Sequence, residues 1–199
     1  MKKLSLILVS LIFLSGSIFA NTYSSDPKMF VSELVEDAIS KLSDKNLTKE
    51  EKTTFIENLA IENVDINALA LYTLGELRKS TDKNTLESYQ RVFKKYFLKN
   101  LTSRLTEYSS NKFEIINAEK KSSNYTIVKS KIIATDKQPE IKIDWRVYTK
   151  NPEKPLIRDL IVEGLSLART QKEEFSSILN SNNNDINILI TKLEEFVNN

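Results

Sequence analysis

The residues of this chain able to do chemistry are its carboxylates. Its 199 residues include no cysteine and no histidine, against 27 Asp and Glu. Without histidine the commonest general base is missing, and neither a Ser-His-Asp nor a Cys-His arrangement can exist. The usual zinc ligands are missing too, so a metal site would need oxygen donors. Beyond residue 20 the only glycines are Gly75 and Gly164, from which no phosphate-cradling loop can be assembled. What remains is carboxylate acid–base work in an apolar pocket, with Asp144 and Glu163 as candidates. Strand alternation places Asp144 on the wet face, and Ser166 has no base to make it a nucleophile. The other carboxylates are scattered over polar segments, the pattern of a solvated surface. No enzyme activity and no cofactor are expected.

The elements that must position these residues fall in two blocks. From Lys112 the apolar period is that of strands. Lys112 to Lys120 alternates weakly, and Tyr125 to Thr135 is rich in β-branched residues. In Ile141 to Val147 the apolar Ile141, Ile143, Trp145 and Val147 share one face, opposite Lys142, Asp144 and Arg146. Val128, Ser130, Ile132 and Ala134 likewise share a face of the strand before it. The turn Asn151 to Pro155 leads into a further strand, Leu156 to Glu163. Short polar connections between such strands predict an antiparallel meander, one face apolar and one solvated.

Before the sheet the chain reads as helix. Asp26-Pro27 suits a helix start, and Thr48 with Glu51 forms a capping box for a second helix. Asp65 caps a third, short and apolar, which stops at Gly75. The longest helix is expected from about Asp82 to Tyr108, with Leu86, Tyr89, Phe93, Phe97, Leu101, Leu105 and Tyr108 on one broad face. Lys94, Lys95 and Lys99 lie mostly off that face, as a docking patch or as ordinary solvated surface. After the sheet, Thr170 and Glu173 form another capping box, opening a helix over Gln171 to Leu179. A last amphipathic helix follows Asp185. Helices, then a sheet, then helices indicate one α+β domain.

The first twenty residues bear on location. Lys2 and Lys3 precede an uncharged run from Leu4 to Phe19, closed by Ala20, the pattern of a secretory signal peptide. An uncleaved amino-terminal anchor is the alternative reading. Ser17 stands where a lipoprotein would carry its lipidated cysteine. The mature protein is expected to run from residue 21 to 199, exported to the periplasm and soluble. Removal of Lys2 and Lys3 from the 29 basic residues leaves 27 against 27 acidic ones, which argues against bulk nucleic-acid binding.

The most distinctive stretch is Asp159-Leu160-Ile161-Val162-Glu163-Gly164-Leu165-Ser166-Leu167, followed by Phe175. It resembles the signature of the MlaC, or toluene-tolerance, family, in which a strand ends in a Val-Glu-Gly-Val-Ser-Leu-like turn before a capped helix. Asp26-Pro27, Val64-Asp65 with Leu74-Gly75, the Phe93/Phe97 and Leu105/Tyr108 pairs, and Asp185 agree in order with the family pattern. The chain departs from it at Pro155 to Arg158, where a Trp is usual, and at Gln171-Lys172, where an Arg is usual.

The resemblance implies a nuclear-transport-factor-like fold, a curved antiparallel sheet wrapped by helices around an apolar ligand slot. It implies a periplasmic phospholipid carrier that maintains outer-membrane lipid asymmetry. The partners would be phospholipid, an inner-membrane MCE-type ABC transporter complex and an outer-membrane lipoprotein–porin complex. The slot wall would be drawn from Leu71, Leu74, Phe93, Phe97, Leu101, Leu105, Val128, Ile132, Ile143, Trp145, Val147, Leu160, Val162 and Leu165. Glu163, Gly164 and Ser166 would form the turn, with glycine supplying a positive φ. Packing of the same apolar residues into a plain core, as in an adaptor, and a pocket-bearing enzyme are the alternatives.

Overall fold

A computed structural model describes residues 23–105, 112–135 and 139–199. Residues 1–20, on which the signal-peptide expectation rests, lie outside them.

Helix α1 (Pro27–Ser43) opens as its sequence requires. The Asp26 carboxylate accepts from the amides of Lys28 and Met29 at 3.0 Å each, and Pro27 stands at the first helical position. Helix α2 (Lys49–Asn63) begins with the full capping box between Thr48 and Glu51. Helix α3 (Ile66–Thr73) is capped by Asp65 and ends at Gly75, whose φ of +57° is the left-handed cap. A short 3-10 turn over Gly75–Lys79 leads to helix α4 (Lys83–Leu105). The expected end of that helix at Tyr108 lies beyond the described residues.

Strands β1 (Phe113–Ser122), β2 (Tyr125–Ile132), β3 (Ile141–Tyr148) and β4 (Leu156–Val162) form the antiparallel meander, and a two-residue strand β5 (Leu165–Ser166) extends its edge. The sheet is open. The β4–β5 turn holds both Glu163 and Gly164 at positive φ, +49° and +82°. That is the conformation a tight hairpin demands at both central residues, so the non-glycine position shares it. A Cβ on Gly164 would meet nothing within 4 Å, which makes its requirement one of backbone conformation alone. The Glu163 carboxylate accepts from the Lys142 amide on β3 rather than bonding inside the turn.

Helix α5 (Leu167–Asn180) starts earlier than the Thr170–Glu173 pair predicts. Ser166 is its N-cap, accepting from the Arg169 amide at 3.0 Å, and the buried Asp159 fixes Ser166 in place by accepting its hydroxyl proton at 2.6 Å. Helix α6 (Ile186–Asn198) follows its Asp185 cap.

Two separate apolar clusters hold these elements. Phe30, Val31, Leu34 and Val35 of α1 pack on Val128, Trp145, Val147 and Ile157 of the sheet. Leu74, Tyr89, Phe93 and Leu98 pack with Phe175, Leu179, Ile186, Leu189 and Leu193 of α5 and α6. Each fully buried side chain of this size contributes about 1.5–3 kcal/mol, so each half has its own stabilising core. Val64 touches both clusters.

Candidate functional site

The alternation of β2, β3 and β4 sorts their side chains onto two faces. Val128, Trp145 and Leu160 stand opposite one another on the face that α1 covers. Ile127, Arg146 and Asp159 form the matching row on the other face, and Lys129, Asp144 and Ile161 form the next. Over this second face α3 and the start of α5 make a partial roof, leaving an open cleft of about 730 Å³. Ala68, Leu69 and Tyr72 of α3, Ala168 of α5, and Ile127 and Ile161 of the sheet supply its apolar lining. Lys121, Ser122, Tyr125, Lys129, Asp144, Arg146 and Arg158 supply the polar part.

The roof is fastened at two points. At the first, Val64 forms a parallel bridge with Ile157, and the Asp65 amide donates to the Ile157 carbonyl at 2.9 Å. The Asp65 carboxylate caps α3 through the Ala68 amide at 3.1 Å and receives Arg158 Nε at 2.8 Å and Nη2 at 2.6 Å. Arg158 also donates to the Tyr125 hydroxyl at 3.0 Å and lies 3.4 Å from the centre of the Tyr148 ring. The β3–β4 register shifts beside Arg146, and this bulge makes Arg158 the extra residue, aimed at these partners. Burial opposes the Arg158 charge, but the bonds to Tyr125 and Asp65 outweigh it and hold its pKa above the ordinary arginine value.

At the second point the Asp159 carboxylate, almost fully buried, accepts from Ser166 Oγ at 2.6 Å and from the Ala168 amide at 3.0 Å. Arg146 Nη1 lies 3.7 Å from the same carboxylate, a looser contact. Both fastenings set a helix start on the sheet, so they determine how far the roof stands above the floor.

Nine of the fourteen apolar residues expected to wall a slot are divided between the two clusters, and none of the fourteen lines this cleft. Leu74 and Phe93 are buried in the helical cluster, with Phe97 and Leu101 packed against it. Val128, Trp145 and Val147 are buried beneath α1, with Ile143 and Leu160 beside them. Leu71, Leu105, Ile132 and Val162 are half-buried, and Leu165 is exposed. The α4 stripe and the Trp145 face do not meet, because α3, α5 and α6 cover the first and α1 covers the second. The cleft instead lies on the face read as solvated. The signal for it is two breaks in the alternation: Ile127 and Ile161 are apolar on the charged face.

Of the acid–base candidates, Asp144 lines the cleft and Glu163 does not. Glu163 is engaged with the Lys142 amide in the turn, so the structure does not bring the two carboxylates into one site. Among the described residues no group of three or more acidic side chains is placed to hold a metal ion, and no helix is long and apolar enough to cross a membrane. Of the lysines on α4, Lys99 is taken up internally, donating to the Val197 carbonyl at the end of α6 at 3.0 Å.

The family model described as MlaC protein matches residues 32–195. Among solved structures, the chain is similar to a phospholipid-binding protein from Ralstonia solanacearum in complex with a phospholipid. The two are 17% identical, the match covers 84% of this chain and 94% of that one, and the TM-score is 0.69. No curated protein matches the sequence.

Proposed function

The chain belongs to the MlaC family, and from that premise we propose that it is a phospholipid-binding carrier rather than an enzyme. The observation that carries this reading is the cleft of about 730 Å³, apolar along α3 and charged along the sheet, in a fold shared with a protein that holds a phospholipid. An amphiphile needs both kinds of surface. Exposing two acyl chains of ordinary length to water would cost on the order of 20 kcal/mol, at about 0.8 kcal/mol per methylene, so a carrier must shield them. The volume is in the upper part of the range of ordinary ligand sites.

The wider role follows the family. The protein is exported, loses residues 1–20, and works in the periplasm between an inner-membrane transporter complex and an outer-membrane complex. Direction comes from those partners, since the chain has no phosphate loop with which to harness a nucleotide. Extraction of the purified protein with organic solvent, followed by mass spectrometry, tests the reading. Phospholipid near one molecule per chain supports it. A chain that yields none, and takes up none from phospholipid vesicles, overturns it.

A further inference from the structure

Asp144 and Arg146 stand two residues apart on β3, both half-buried and both lining the cleft. Alternation puts them on one face, with backbones about 6–7 Å apart. Among the described residues Asp144 has no ion pair and no side-chain hydrogen bond. Its cross-strand neighbour Lys129 directs its ammonium to Glu119, 3.6 Å away. Arg146 has one loose partner, Asp159 at 3.7 Å, whose oxygens already accept from Ser166 and Ala168. The guanidinium therefore keeps donors to spare. A carboxylate without a partner and a guanidinium with free donors line the same cleft as the apolar Ile127, the cross-strand neighbour of Arg146, and Leu69.

We propose that Asp144 and Arg146 form a headgroup site for a zwitterionic phosphoester, Arg146 receiving the phosphate and Asp144 the ammonium. Guanidinium matches phosphate oxygens with paired donors, and the carboxylate accepts from an ammonium. A two-carbon bridge between phosphate and amine is short enough for one headgroup to touch both. Like charges decide against a headgroup that lacks the ammonium, because Asp144 would then face only hydroxyls or a second anion. The chemistry is shared by a phosphoethanolamine lipid and by soluble phosphoethanolamine, and the apolar wall favours the lipid. The inference rests on the carrier reading and adds a headgroup preference to it.

The test loads the full-length mature protein from vesicles of equal phosphatidylethanolamine and phosphatidylglycerol, and reads the ratio of the two lipids bound. The wild type should hold phosphatidylethanolamine in excess by about threefold, the scale of a partly exposed ion pair. Asp144→Asn should bring the ratio to that of the vesicles, and Asp144→Lys should reverse it in favour of phosphatidylglycerol. Arg146→Gln should weaken retention of both lipids. A wild-type ratio equal to the vesicles, or one that Asp144→Asn and Asp144→Lys leave unchanged, overturns the headgroup site while lipid uptake still supports the carrier. No uptake of either lipid overturns both. Displacement of bound lipid by millimolar soluble phosphoethanolamine would assign the site to the free compound and overturn the lipid assignment.

Discussion

The Trp145 indole donates to the Ser130 hydroxyl at 2.9 Å, beneath α1, and that hydroxyl donates onward to the Ile143 carbonyl at 2.8 Å. Both side chains are buried, and the indole N–H depends on the Ser130 hydroxyl for its partner. Ser130→Ala should lower unfolding stability by about 1–3 kcal/mol, because it leaves a buried N–H unpaired. Adding Trp145→Phe should recover part of that loss, whereas independent effects would simply add. Urea unfolding followed by circular dichroism measures all three variants.

The division into clusters separates core from candidate site. Val147→Asp places a charge in the core beneath α1 and should prevent stable folding. Ile161→Asp, in the cleft lining, should leave a folded protein whose retained lipid falls about tenfold or more, the scale of one lost apolar contact of that size. Circular dichroism and lipid extraction on the same samples distinguish the two. Folded Val147→Asp with reduced lipid would move the ligand to the α1 side of the sheet.

Arg158 and Asp65 fasten α3 to the sheet, and both side chains are mostly shielded. Arg158→Gln should cost about 1–3 kcal/mol, through the lost charged hydrogen bonds and the lost stacking on Tyr148. Amide exchange should increase first at Ala68 and Leu69, where the α3 start is held. Uniform acceleration across the chain would mean a general loss of stability instead of a loosened roof.

Acid should act on the helix starts. The Glu51 carboxyl is held below its ordinary range, first by the Thr48 amide and then by the Thr48 hydroxyl. Asp82 is held down in the same way by the Thr85 amide and hydroxyl. A folded pKa below the unfolded one gives stabilisation that is full above the unfolded value and is lost as pH falls through the folded one. The Thr48 amide resonance should titrate with a midpoint below that of glutamate in an unfolded peptide, and Glu51→Gln should abolish the titration. A midpoint at the unfolded value would show that the capping box does not hold in solution.

Export has its own check. Intact-mass measurement of protein recovered from the periplasm should find residues 1–20 removed and Asn21 at the amino terminus. The full-length chain in the membrane fraction would point to an anchor.

Local rules made the elements readable. Asp26-Pro27, the Thr48–Glu51 box, Asp65 and Asp185 each fix a boundary through bonds made within a few residues, and Gly75 fixes one through its own backbone conformation. The α5 start was missed because its cap depends on Asp159, buried on another strand, and not on the nearby Thr170–Glu173 pair. The candidate site was hidden for the same reason. Alternation shows that Trp145 and Asp144 face opposite ways, but not which face a helix will fill. Here α1 packs on one over Val128, Trp145 and Val147, while α3 and α5 roof the other only in part. Asp144 and Arg146 read as solvent-facing because a charged cleft floor and a wet sheet face have the same pattern. Ile127 and Ile161 were the local clue.

The two apolar clusters, joined where Val64 meets both, have a mechanical consequence. Each half stays dry inside whatever lies between them, so neither has to collapse or refold when the space above the sheet is filled or emptied. Ile66, Ala70 and Leu74 tie α3 into the helical cluster, so the roof and that core hold together as one body. The space above the sheet is thus bounded by two prefolded bodies, and whatever occupies it meets walls already set by their own cores.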